Sequence, residues 1–186
     1  MKILGIDEVG RGSLAGPLVV GAVVLNDYIP GLKDSKQLTR KQRTKLSKTI
    51  LDQAYYAGLG WVSNNEIDKI GLVKALILAS SRSITKLNIQ QIDQIIIDGT
   101  INFLPDHEVY NLIKADQLIP AVSAASIIAK VARDEYMIQL DSCFPEYNFK
   151  NNVGYGTYEH LQAINSIGPC KYHRLSFQPM KSLITN

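Results

Sequence analysis

Residues 3–20 read Ile-Leu-Gly-Ile-Asp-Glu-Val-Gly-Arg-Gly-Ser-Leu-Ala-Gly-Pro-Leu-Val-Val. An apolar strand runs into two adjacent acids, Asp7 and Glu8, and a glycine-flanked arginine loop leads into a second apolar strand. Carboxylates at a strand end suit hard divalent cations, which take oxygen ligands. Gly10 and Gly12 let the backbone approach a ligand closely, and Arg11 between them carries a planar fork of donors that matches a phosphate. Together these features point to metal-assisted chemistry on a phosphodiester.

Outward from this stretch, residues 2–8 and 18–25 read as strands joined by the glycine loop. The turn-rich segment from Asn26 to Lys36 holds Asp34-Ser35-Lys36, and Thr39 is placed to cap a basic helix from Arg40 to about Gln53. Tyr55 to Val62 fits a third strand. Asn64 or Asn65 caps one long helix, in which Ile67, Ile70, Val73, Leu76, Ile77 and Ile84 recur at helical spacing. Gln94 to Asp98 is a short buried strand ending in an acid. Val109 to Ala115 is another, followed at once by Asp116. Pro120 opens a helix of small residues that runs to about Asp141, and a further helix starts near Thr157.

Three strands followed by strands alternating with helices indicate an α/β domain with a mixed sheet, spanning 1–186 as a single unit. In open α/β sheets, ligands gather beyond the strand ends. Three strands here end in acids, so Asp7, Glu8, Asp98 and Asp116 are expected to converge. Like charges that close resist joint ionisation, and two Mg2+ or Mn2+ ions resolve the conflict. Such a pair, about 3.5–4 Å apart, activates water and stabilises the leaving oxygen of an in-line displacement. Alternate strand residues face opposite ways, so Glu8 joins Asp7 only if the strand stops there and the Val9-Gly10 loop redirects it.

The 120–141 helix places Ser123, Ser126, Lys130 and Arg133 in one stripe roughly 80° wide, suited to substrate phosphates. Lys36 is a further candidate for phosphate contact. Tyr155 lies between Gly154 and Gly156, which exposes a ring able to stack on a base or sugar. His160 and His173 read as structural.

Composition narrows the class. The 186 residues, 46% hydrophobic and 20% charged, are those of an ordinary globular domain. Cys143 and Cys170 form no CxxC pair, which excludes a common zinc motif. The acids at positions 7 and 8 exclude a signal peptide, and no apolar run approaches the ~20 residues that span a bilayer. A cytoplasmic protein is expected. The net charge of +3 is compatible with a polyanionic partner without demanding one.

With these residues assembled, the chain resembles the bacterial ribonuclease HII family. The matching blocks are Gly5-Ile-Asp-Glu-Val-Gly-Arg-Gly12 with Leu14-Ala-Gly-Pro17, Asp34-Ser-Lys36, Asp98-Gly99, and Pro120 to Lys130 with Arg133-Asp134. They continue with Pro145-Glu-Tyr147, Gly154-Tyr-Gly-Thr157, His160, and His173-Arg174 with Ser176-Phe177. They span nearly the whole chain in family order.

The resemblance implies an RNase H-like fold with a five-stranded mixed sheet flanked by helices. It implies hydrolysis of RNA in RNA–DNA hybrids, and cutting 5′ to single ribonucleotides in duplex DNA, with a 3′-hydroxyl and a 5′-phosphate left behind. Asp7, Glu8, Asp98 and Asp116 match the family's metal ligands. Gly10, Arg11 and Gly12 match the loop that touches the ribose 2′-hydroxyl, the group that separates RNA from DNA. Tyr155 matches the ring that packs on the adjoining deoxyribose, and Ser126, Lys130 and Lys36 are second-tier phosphate contacts. A monomer with no obligate protein partner is expected, and the chain departs from longer family members soon after Ser176-Phe177, so a C-terminal helical extension is expected to be short or absent. Two other classes remain open on the residues alone. A hybrid-binding module would bind without cutting, and a Holliday-junction resolvase would require branched DNA and ignore ribonucleotides.

Overall fold

The computed structural model describes residues 1–32 and 37–184. Its frame is a five-stranded mixed sheet in the order β3-β2-β1-β4-β5. The strands are β1 (Ile3–Val9), β2 (Leu18–Leu25), β3 (Ala54–Val62), β4 (Gln94–Asp98) and β5 (Tyr110–Leu112). β1 pairs antiparallel with β2 and parallel with β4, and this places the acid-bearing strand at the centre.

The period of two along β1 sorts its side chains. Leu4 and Ile6 enter the core with Ala75, Leu76 and Ala79 of helix α3 (Leu72–Ser83). Gly5 and Asp7 face the long helix α5 (Pro120–Asp141) instead. A Cβ at Gly5 would overlap the Ala121 backbone, and one at Gly21 would overlap that of Ala125. These two missing side chains let α5 ride directly on the sheet, which carries Ser126 over Asp7. On the same face, α1 (Arg40–Gln53) buries Ile50 against Val23, Ala124 and Ile127. Thr39 and Gln42 close a capping box at its start.

Three expectations are corrected. The long helix from Asn64 is two helices, α2 (Asn64–Ile70) and α3, and the cap is Ser63 rather than either asparagine. The break falls at Gly71, whose φ of +78° is a glycine conformation. Hydrophobic spacing carries on through it because both helices lie on one core. β5 is only three residues long, and Asp116 sits on the helical turn α4 (Ala115–Leu118) rather than at a strand end. The apolar run that suggested a longer strand leaves Tyr110 and Ile113 exposed. Third, β1 does not stop at Glu8 but continues to Val9.

After α5 come α6 (Phe149–Asn152), α7 (Tyr158–Ile167) and α8 (Met180–Ile184). Cys143 and Cys170 are unbridged. No helix among the described residues is long and apolar enough to cross a membrane.

Candidate active site

Parallel register brings the first two acids together. Ile6 pairs with Ile97, so Asp7 and Asp98 come next on neighbouring strands and share the α5 face. β4 then turns away at Gly99, where φ is +94°, so Glu8 keeps its β2 partner Val20 but has no β4 residue on its other side. This open edge admits the Glu8 side chain to the same cavity although its position in β1 alternates with Asp7. Redirection by strand termination is therefore not how Glu8 arrives. Asp116 is delivered by a tether: the Asp98 carboxylate accepts the Ala115 N–H at 2.7 Å, and the Ser123 hydroxyl donates to the Asp116 carbonyl.

All four acids line one cavity of about 390 Å³, together with Gly10, Arg11, Gly12, Ser126, Lys130 and Tyr155. Lys36 and the rest of Asp34-Ser35-Lys36 lie outside the described residues. Asp7 accepts the Glu8 N–H at 2.8 Å and a hydrogen bond from Ser126, and Glu8 pairs with Arg11 at 3.6 Å. Among the described residues, no three acids close on a point as a ready-made cation cage.

The electrostatics are strained in one direction. Burial, then the neighbouring Glu8 and Asp98, push the Asp7 carboxyl up to about 8, against the hydrogen bond from Ser126. Glu8 is also raised by burial, with Arg11 opposing. Buried oxygen donors that resist joint ionisation are the environment that a hard divalent cation relieves.

The glycine loop is held from below by two arginines. Arg133, fully buried, donates to the carbonyls of Pro17 (2.8 Å), Val153 (2.8 Å) and Ala15 (3.1 Å). Arg174 donates to those of Gly16 (3.1 Å) and Arg11 (3.0 Å). The pattern-based stripe on α5 is thus split by function. Ser126 and Lys130 face the cavity, whereas Ser123 and Arg133 bind backbone and are not available to phosphates. Lys130 pairs with Asp134 at 2.9 Å.

Tyr155 projects beside Lys130 and Arg133, whose charged ends lie 6.0 and 5.6 Å from the ring centre. Its carbonyl accepts from His160 Nδ1 at 2.8 Å, and His160 Nε2 meets His173 Nε2 at 3.0 Å. Both histidines are buried, which fits the structural reading, and neither lines the cavity. Sequence reasoning named Arg174 only within a matching block, without a role, and did not foresee that the two histidines meet. Their partners are backbone carbonyls or each other, and neither leaves a spacing to read.

Comparison with known proteins gives one consistent result. A family model described as Ribonuclease HII matches residues 4–180. A ribonuclease HII of Pelagibacter ubique (strain HTCC1062) is 49% identical over 190 residues, covering 99% of this chain and 100% of the relative. One from Coxiella burnetii (strain Dugway 5J108-111) is 42% identical over 98% of this chain and 91% of its own length. The crystal structure of the ribonuclease H2 from Pyrococcus horikoshii OT3 superposes with a TM-score of 0.80 at 28% identity, over 98% of this chain and 97% of that one.

Proposed function

Because the chain belongs to the ribonuclease HII family, whose members are metal-dependent endonucleases of RNA in RNA–DNA hybrids, we propose that it also cuts on the 5′ side of single ribonucleotides embedded in duplex DNA. The observation that carries this reading is the composition of one cavity. It unites four carboxylates, a glycine–arginine–glycine loop and an exposed-edge tyrosine.

Asp7, Glu8, Asp98 and Asp116 would hold two divalent ions, Mn2+ or Mg2+, and their oxygen-only donor set fits such ions. When bound, the ions supply charge neutralisation and Lewis acidity for in-line attack by water on the phosphate, leaving a 3′-hydroxyl and a 5′-phosphate. The chain's own residues do the rest. A Cβ at Gly12 would have open space around it and its backbone is unstrained, so the missing side chain there makes room for a ligand. That ligand is the ribose 2′-hydroxyl, with Gly10 and Arg11 completing the contact. Tyr155 packs on the neighbouring deoxyribose, where a hydroxyl would crowd the ring. Ser126 orients Asp7, and Lys130 and Lys36 reach phosphates. Arg133 and Arg174 hold the loop carbonyls so that its outer surface keeps one shape. We propose a monomeric, cytoplasmic, single-domain enzyme that needs no protein partner for the cut.

The test is a set of DNA duplexes with zero, one or four ribonucleotides, plus a four-way junction, each incubated with Mg2+, Mn2+ or EDTA. Cutting at the lone ribonucleotide, dependent on metal, is the expected outcome. Equal cutting of all-DNA duplex would overturn the substrate assignment, as would activity confined to the junction.

A further inference from the structure

We propose that α1 is a second contact for the phosphate backbone of the duplex, outside the cavity that holds the cut site. The proposal rests on the nucleic-acid reading above and deepens it. α1 carries Arg40, Lys41, Arg43, Lys45 and Lys48 against one acid, Asp52, a net +4. The whole chain carries +3, so everything outside this helix sums to −1. The net positive charge of the protein therefore resides in one element.

Lys41, Lys45 and Lys48 recur at i, i+4 and i+7 in a stripe roughly 60° wide, and all three are exposed. With Arg40 and Thr44 they border a shallow open hollow. Among the described residues, Arg40, Lys41, Lys45 and Lys48 form no ion pair. The first turn has no acid, so Arg40 and Lys41 oppose the helix macrodipole, and Lys41 and Lys45 repel each other one turn apart. These are local costs with no return inside the fold, a pattern found at functional surfaces.

The opposite side of α1 is anchored through Ile50 and Leu46 to the cluster that contains Ala124, Ala125 and Ile128 of α5, the helix that supplies Ser126 and Lys130 to the cavity. α1 ends where β3 begins, at the end of the sheet remote from Asp7. The stripe from Lys41 to Lys48 is about 10 Å long, and a duplex presents about one phosphate charge per 1.7 Å of axis.

The test compares wild type with Lys41→Gln/Lys45→Gln/Lys48→Gln and with a control, Lys69→Gln/Lys74→Gln/Lys86→Gln. The control removes the same charge from exposed positions on the α2–α3 side of the sheet. Binding of a 30-base-pair DNA duplex is measured in EDTA over a range of salt, and cleavage of its single-ribonucleotide counterpart is measured with Mg2+. Each phosphate contact adds about 0.9 to the slope of log K against log salt. The α1 variant should therefore lose about 2–3 from the slope, with KM raised and kcat kept, while the control keeps the wild-type slope. Equal slopes in all three proteins, or equal losses in both variants, would overturn the proposal. So would loss of binding to anionic phosphatidylserine vesicles with an unchanged duplex slope. Failure of wild type to cut any ribonucleotide would refute the activity but leave the slope comparison readable.

Discussion

Gly10 and Gly12 flank the same arginine, yet physics asks different things of them. Gly10 has φ of +86°, and a Cβ there would run into Arg133, whereas Gly12 has ordinary φ and nothing within 4 Å. Gly10→Ala should therefore lower stability by about 1–3 kcal/mol through backbone strain and contact. Gly12→Ala should unfold within about 0.5 kcal/mol of wild type but lose cleavage of ribonucleotide-containing duplex. Chemical denaturation beside a cleavage assay separates the two, and an active Gly12→Ala would remove that position from the substrate contact. Asp98→Asn makes a sharper test of the acids. An asparagine oxygen still accepts the Ala115 N–H, so the fold and the Asp116 tether survive while turnover falls by at least about 100-fold. Circular dichroism and single-turnover cleavage check both halves. For Tyr155, loss of stacking costs about 1–3 kcal/mol. Tyr155→Ala should cut single-ribonucleotide cleavage by tens-fold and spare long hybrids, while a uniform loss would contradict its junction role. The acids and the loop were legible because chemistry restricts them to a few residue types in one short stretch. Arg133 was misread because a buried arginine serving carbonyls and an exposed one serving phosphates have the same helical spacing.

At the scale of elements, the centre of the sheet was legible and its margins were not. β1, β2 and α5 announce themselves through apolar runs, while β5 shrinks to three residues because its side chains remain exposed and gain little from pairing. Gly71 hid the α2–α3 break for the opposite reason, since both helices bury the same kind of face. The link between α7 and the tail also lay beyond pattern. His160 Nδ1 donates to the Tyr155 carbonyl, His173 Nδ1 accepts the Cys170 N–H at 2.9 Å, and His173 Nε2–H donates to His160 Nε2. That arrangement requires both rings neutral. Burial, and then His160, push His173 down to about 4, below the usual histidine value near 6.5. The unfolded chain therefore binds this proton first as pH falls. The stabilisation is complete above about pH 6.5 and is lost progressively toward pH 4, on the order of 2–3 kcal/mol. Urea denaturation across pH 4–8 should show this slope, and His173→Asn should flatten it. An unchanged slope in the variant would assign the pH dependence to other groups.

For the whole molecule, the cavity is where distant parts of the chain are made to meet. Its acids come from β1, the end of β4 and α4, and its loop is clamped by α5 and by the segment bearing Arg174. Unfolding scatters all of these, so an ion bound by the four carboxylates is bound by the folded state alone. Such a ligand raises stability by RT ln(1 + [L]/Kd), about 2.7 kcal/mol at a hundred times Kd. In a chain of this length each kcal/mol moves Tm by about 2–4 °C, so saturating Mn2+ or Mg2+ should raise Tm by roughly 5–10 °C. Asp98→Asn should lose most of that gain while melting near wild type in EDTA, because the neutral amide removes one charge from the cluster and keeps its hydrogen bond. The melting curve reads occupancy without reference to catalysis. A wild-type Tm indifferent to divalent ions would mean that the carboxylates are balanced by Arg11, Ser126 and backbone N–H groups alone, and the hydrolytic reading of the cavity would fall with it.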